Sequence, residues 1–269
     1  MIKELFVKYF NTGNSRSVKV KKNIAISFAF KLLSIAIGLI YVPVLIDYLD
    51  VEQYGIWLTI GSVIAWFNFF DLGLGNGFRN RFAADLAQKD MKLAREYVST
   101  TYAILAIISI FLLVIFSIAN SFINWSTLLN APKEMEDELS FLALIIFSFF
   151  ALRFVFKLIA QVLNANQMPA IRNMFGPIGN IISLSIILLL VKYTDEGSLL
   201  LLGFVLSASP VIILIVASVI LFRKKYKEYI PSFKYVDFKH FNDLFSLGGK
   251  FFIIQISGVV IYQSTFFLI

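Results

Sequence analysis

Five ionisable residues fall inside long apolar runs of this chain: Lys31, Asp71, Arg153, Lys157 and Lys250. A charge within hydrocarbon is expensive, so such residues turn toward a cavity or a partner. At a helical rise of ~1.5 Å per residue, Lys31 and Asp71 each lie roughly 12 Å from the nearest basic helix end, Arg153 about 14 Å and Lys157 about 8 Å. Arg153, Lys157 and Gln161 follow one another at four-residue spacing and share one helical face. Together, Lys31, Arg153, Lys157 and Lys250 predict a cavity with positive excess that attracts an anion. Arginine suits anionic oxygens through its planar fork, and lysine acts as a point charge. Two alternatives stand beside this reading. Lys157 and Lys250 are long enough to snorkel to the interface, and Asp71 serves equally as a structural ion-pair partner of Lys31 or Arg153 or as a coupling group for transport.

Other chemistries are poorly supplied. The chain has no cysteine, which removes disulfides, thiolate catalysis and cysteine metal ligands. Its one histidine, His240, stands among lysines and reads as a solvated loop residue, too little for a histidine metal cluster or a triad. The segment GLGNG is no phosphate loop, because no Lys-Ser/Thr follows it and no strand precedes it. We therefore expect no metal, no cofactor and no enzymatic step. The acidic group Glu134, Glu136, Asp137 and Glu138 reads as a solvated loop.

The elements that must hold these residues are membrane helices. Of 269 residues, 59% are hydrophobic and 15% charged, and the mean hydropathy is +0.81, values that point to an all-α integral membrane protein. A span needs about 20 apolar residues. Such runs lie near 24–46, 55–78, 98–119, 139–162, 171–191 and 199–222, and a seventh occupies 244–269. Most of the 24 basic residues gather in the N-terminal tail and in alternate connections, whereas Asp47, Asp50, Glu52, Glu134, Glu136, Asp137, Glu138, Asp195 and Glu196 mark the opposite loops. The positive-inside rule then predicts a cytoplasmic N-terminus, and the net charge of +7 reflects orientation and not nucleic-acid binding.

The expected organisation is a cytoplasmic segment at 1–22, a six-helix lobe at 23–222, a basic loop at 223–243 and a seventh helix at 244–269. Within the first segment, Ile2, Leu5, Phe6, Tyr9 and Phe10 recur at helical spacing and predict a helix lying in the interface. The closing run FFIIQISGVVIYQSTFFLI has no polar flank, and the expectation is a chain that continues.

Small residues and breakers shape the spans. Gly73 and Gly77, four apart, predict close helix packing or a flexible point. Pro43, Pro177 and Pro210 each remove a helical hydrogen bond, so Pro210 is a candidate hinge. Kinked helices around a charged interior suit a transporter.

The block YLDVEQYGIWLTIGSVIAWFNFFDLGLGNGFRNRFA, from Tyr48 to Ala83, resembles the second-helix region of polysaccharide transporters of the Wzx O-antigen flippase type. The matching features are Tyr54, Gly55 and Trp57, then Asp71, Gly73, Gly75 and Gly77, then Arg79 and Arg81. NWSTLLNAP and QVLNANQMPAIRNM are similar to the same family. The resemblance implies the multidrug/oligosaccharidyl-lipid/polysaccharide exporter superfamily, with two six-helix lobes about a central cavity. It implies flipping of an undecaprenyl-pyrophosphate-linked oligosaccharide, an O-antigen or related repeat unit, across a bacterial inner membrane by alternating access. The implied partners are that lipid-linked oligosaccharide, membrane lipids and the polysaccharide polymerase and assembly proteins, with no nucleic acid. A cation-coupled exporter of drug-like molecules, using Asp71, is the alternative of the same architecture, and a membrane polysaccharide polymerase is a third reading.

Overall fold

A computed structural model of the chain describes residues 14–67, 73–194 and 196–267. These are helices and turns, without a strand among the described residues. The long elements are α1 (Ser15–Tyr48), α2 (Val51–Phe67), α3 (Leu74–Gln88), α4 (Met91–Asn120), the short α5 (Trp125–Leu129), α6 (Glu136–Phe156), α7 (Leu158–Ala165), α8 (Pro169–Tyr193), α9 (Leu199–Lys224) and α10 (Phe241–Phe267). Among the described residues, five stretches are long and apolar enough to cross a membrane: Val20–Tyr48, Met91–Asn120, Lys133–Ala165, Pro169–Tyr193 and Leu199–Lys224. The chain is thus an all-α, multi-pass membrane protein. Of the two other expected spans, 55–78 is divided between α2 and α3, with its middle outside the described residues, and 244–269 falls on α10. Asp71 and the expected interfacial helix also lie outside the described residues.

The helices pack in a chain of neighbours: α1 on α8, α8 on α9, α9 on α6, α6 on α4, α4 on α3 and α3 on α10. Each end of the bundle has its own apolar core. At the end bearing the basic connections, Phe78, Phe82, Val98, Leu158, Ile159, Leu163, Phe222 and Leu244 pack together. At the acidic end, Leu45, Leu49, Ile56, Leu139, Leu142, Ile187, Leu199 and Leu202 do the same. Large apolar side chains on the outward faces, such as Leu39, Phe111, Ile118 and Leu189, remain exposed to the surroundings, as a helix in lipid requires.

Polar side chains tie the helices together. The Tyr41 hydroxyl on α1 donates to the Asn180 carbonyl on α8 at 3.0 Å and meets Ser183 Oγ. Ser109 of α4 donates to the Ala151 carbonyl of α6 at 3.0 Å. At the acidic end, the Glu136 carboxylate accepts the free N–H groups of Trp125 and Ser126 at 2.8 and 2.7 Å, a charge at a helix start. One member of the acidic group therefore closes the short α5 and is not merely solvated.

The basic connection after α9 is strapped to α4. Arg95 Nε donates to the Ile230 carbonyl at 3.0 Å, and its guanidinium lies 4.1 Å from the Tyr235 ring. The Ser232 N–H donates to Ser99 Oγ at 3.1 Å, and the Asp237 N–H to Thr100 Oγ1 at 2.9 Å. His240, expected to be solvated, stands instead with its ring 4.5 Å from Tyr97 and its Nε2 3.3 Å from Glu96 Oε2. The lysines around it suggested exposure, but the strap folds it onto α4.

Candidate functional site

A cavity of about 1060 Å³ opens between α1, the α7–α8 junction and Arg79 of α3. Its α1 wall is built from Asn23, Ser27, Lys31 and Ser34. Spacings of four, four and three residues put these polar groups on one helical stripe. The opposite wall carries Asn164, Gln167, Arg172 and Asn173, and ends at Gly176 and Pro177. Local chain geometry places this wall. Gln167 adopts a left-handed φ of 56°, which turns the chain sharply after α7. Pro169 then begins α8, where a missing N–H costs nothing. Asn164 is tethered by its own Nδ2, which donates to Gln161 Oε1 at 3.1 Å.

The electrostatic character is uniform. Lys31, Arg79 and Arg172 line the cavity, four amide side chains accompany them, and no carboxylate is among the described lining residues. No ion pair joins any of the three cations to a carboxylate of the described residues. Cations in a concave site with no acidic partner among the described residues concentrate positive potential and draw anions. The volume stands at the upper end for ligand pockets, so a headgroup larger than a single phosphate has room.

Of the residues expected to form one cationic cavity, Lys31 lines this one. Arg153 lines a separate pocket of about 200 Å³ with Trp57, Gly61, Phe150, Ser207 and Pro210, between α2, α6 and α9. Lys157 occupies the break between α6 and α7, half-buried, and Lys250 lies exposed on α10. Arg153 and Lys31 therefore look into different spaces. Arg79 and Arg172, read from sequence as markers of orientation, take the places beside Lys31. A polar stripe on α1 was the available signal for this wall, since Asn23, Ser27 and Lys31 repeat at four-residue spacing within an apolar run.

The predicted packing and hinge residues occupy close backbone contacts. Gly73 starts α3 with φ of 66°, a left-handed conformation, and a Cβ there would lie 2.0 Å from the Gly248 carbonyl oxygen. A Cβ on Gly77 would lie 2.8 Å from the Leu244 oxygen and 3.0 Å from the Gly248 nitrogen. Helices α3 and α10 thus meet backbone to backbone. Pro210 in α9 faces Gly179 of α8, where an added Cβ would reach ordinary contact at 3.4 Å.

Among known proteins, the chain matches no family model and no solved structure. It is similar to a Yersinia pseudotuberculosis protein named "Putative O-antigen export protein", with 35% identity over 92 residues. That match covers 34% of this chain and 20% of the relative. The likeness thus spans about a fifth of the relative's length and points toward polysaccharide export.

Proposed function

We propose that this chain belongs to an exporter that passes the anionic headgroup of a lipid-linked oligosaccharide across a bacterial inner membrane, through the cavity of Lys31, Arg79 and Arg172. One observation carries the reading: three cations and four amides share a space of about 1060 Å³ with no acid among its described lining residues. Diphosphate oxygens accept from the cations, and amides suit sugar hydroxyls, which both donate and accept. The partial likeness to an O-antigen export protein agrees in substrate class. In this reading the N-terminus is cytoplasmic and the cavity opens on the cytoplasmic side, where basic connections gather. The protein transports and performs no bond chemistry, needs no cofactor, and delivers its substrate to polysaccharide polymerase and assembly proteins.

The test is made in cells that carry the gene. Lys31→Gln, Arg79→Gln and Arg172→Gln, introduced together, should leave the protein in the membrane while lipid-linked oligosaccharide accumulates on the cytoplasmic leaflet, protected from an impermeant glycosidase. Undiminished outward delivery by the triple variant would overturn the proposal, as would export of organic cations as the activity that depends on this gene.

A further inference from the structure

The basic end of the bundle holds a second set of charged groups on the far side of α3 from the cavity. Arg79 lines the cavity, and Arg81, two residues on, points about 200° around the helix. Arg81 Nη2 stands 3.6 Å from Asp243 Oδ2 at the start of α10. The same carboxylate oxygen accepts from the Tyr97 hydroxyl at 3.2 Å. One turn beyond Arg81 on α3 is Asp85, only 5% exposed. Its Oδ2 is buried with no hydrogen-bond partner, and so is Arg81 Nε. An unpaired buried carboxylate oxygen is costly when ionised and has an evident remedy, which is a proton.

The surrounding groups favour that remedy. Asp90, which caps α4 by accepting from the Leu93 N–H at 3.0 Å, adds a like charge. From α4 come Tyr97, Lys92 and Glu96, the last two 3.8 Å apart, and from the strap come His240 and Tyr229, the latter edge-on to Phe82. Lys89 at the end of α3 is exposed, and α7, which also packs on α3, has no ionisable residue. Burial above all, and then Asp90, push the Asp85 carboxyl up to about 6, against the opposing pull of Arg81 and His240.

We propose that Asp85 is a proton-binding site on the basic face of the protein, and that its protonation fastens α10 to α3 through Arg81 and Asp243. Ionised Asp85, one turn from Arg81 on α3, competes with Asp243 for the Arg81 guanidinium. Protonated Asp85 releases it, and the Arg81–Asp243 pair tightens. That pair sits at the end of the glycine seam, next to Leu244, whose oxygen lies against Gly77. The site is independent of what the cavity carries.

Spin labels at Ala84→Cys and Ser246→Cys test this in the full chain, which has no native cysteine to remove. Distances are measured in lipid nanodiscs between pH 8 and pH 5. The labelled protein should shift from a broad to a narrow, shorter distribution with a midpoint near about 6. Asp85→Asn should give the short distribution at every pH, and Asp243→Asn the broad one at every pH. His240→Gln should keep the midpoint, which separates the carboxylate from the imidazole. An infrared difference spectrum, pH 5 minus pH 8, should show a protonated carboxyl band that Asp85→Asn removes. A transition unchanged in Asp85→Asn, a distance independent of pH, or a carboxyl band that persists in Asp85→Asn would each overturn the proposal.

Discussion

Replacing Gly77 by alanine should weaken the α3–α10 contact, and the size of the effect follows from the backbone geometry. The new methyl would stand 2.8 Å from the Leu244 oxygen and 3.0 Å from the Gly248 nitrogen. Both neighbours are backbone, so neither can rotate away, and the two helices must separate by about half an ångström to restore ordinary contact. Overpacking of this kind costs about 1–3 kcal/mol. An internal control lies beside it: Gly249, adjacent to Gly248 on α10, has nothing within 4 Å of an added Cβ. Alanine there should be neutral or stabilise by about 0.5–1 kcal/mol, because glycine is a poor helix residue. Thermal unfolding of the purified chain in detergent, followed by tryptophan fluorescence, reads the difference. A loss of 1 kcal/mol moves Tm by roughly 2–4 °C in a chain of this size. Gly77→Ala should therefore fall by several degrees while Gly249→Ala holds or rises. Equal Tm values for the two variants would refute a backbone-to-backbone seam.

Two further outcomes follow from charged groups at the two ends of the bundle. Glu136→Ala removes the carboxylate that accepts from Trp125 and Ser126, so those amides should exchange with deuterium faster while exchange along α4 stays unchanged. For Asp85, a carboxyl raised from 3.8 to about 6 opposes folding in its ionised form. Stability is full below pH 4 and falls as pH rises through about 6. Asp85→Asn should thus match the parent protein near pH 4 and exceed it at pH 8, in denaturant titrations at both values.

Helical class was legible because long apolar runs in lipid have few structural solutions. The alternation of Lys and Arg with Asp and Glu between those runs also survives as two chemically distinct ends of the bundle. Gly73 and Gly77 could be read as a contact from their spacing alone, but their partner Gly248 could not, since it lies far along the chain. Lys31 and Arg153 show the limit most directly. Distance along a helix gives depth, and their depths are similar. Direction around the bundle depends on which helices pair, and pairing α1 with α8 turns Lys31 toward Arg172, whereas α6 packs on α9 and carries Arg153 to Pro210. Arg79 and Arg172 were hidden for the converse reason, because a charge at a helix end is explained well enough by orientation. His240 was misread through its neighbours in sequence, when Tyr97 and Glu96 are its neighbours in space.

The central claim is that the cavity of Lys31, Arg79 and Arg172 holds a diphosphate headgroup. Binding of geranylgeranyl diphosphate to the chain in neutral-lipid nanodiscs, with geranylgeraniol as the uncharged control, measures it directly. If each cation contributes about 0.7 kcal/mol in a solvated site, the Lys31→Gln, Arg79→Gln, Arg172→Gln triple variant should lose roughly 2 kcal/mol, some thirtyfold in Kd. Added salt should weaken the parent protein's binding of the diphosphate and leave the alcohol unaffected, and Arg153→Gln should bind as the parent does. Equal affinity of parent and triple variant for the diphosphate, or a loss in Arg153→Gln as large as in the triple variant, would contradict the account.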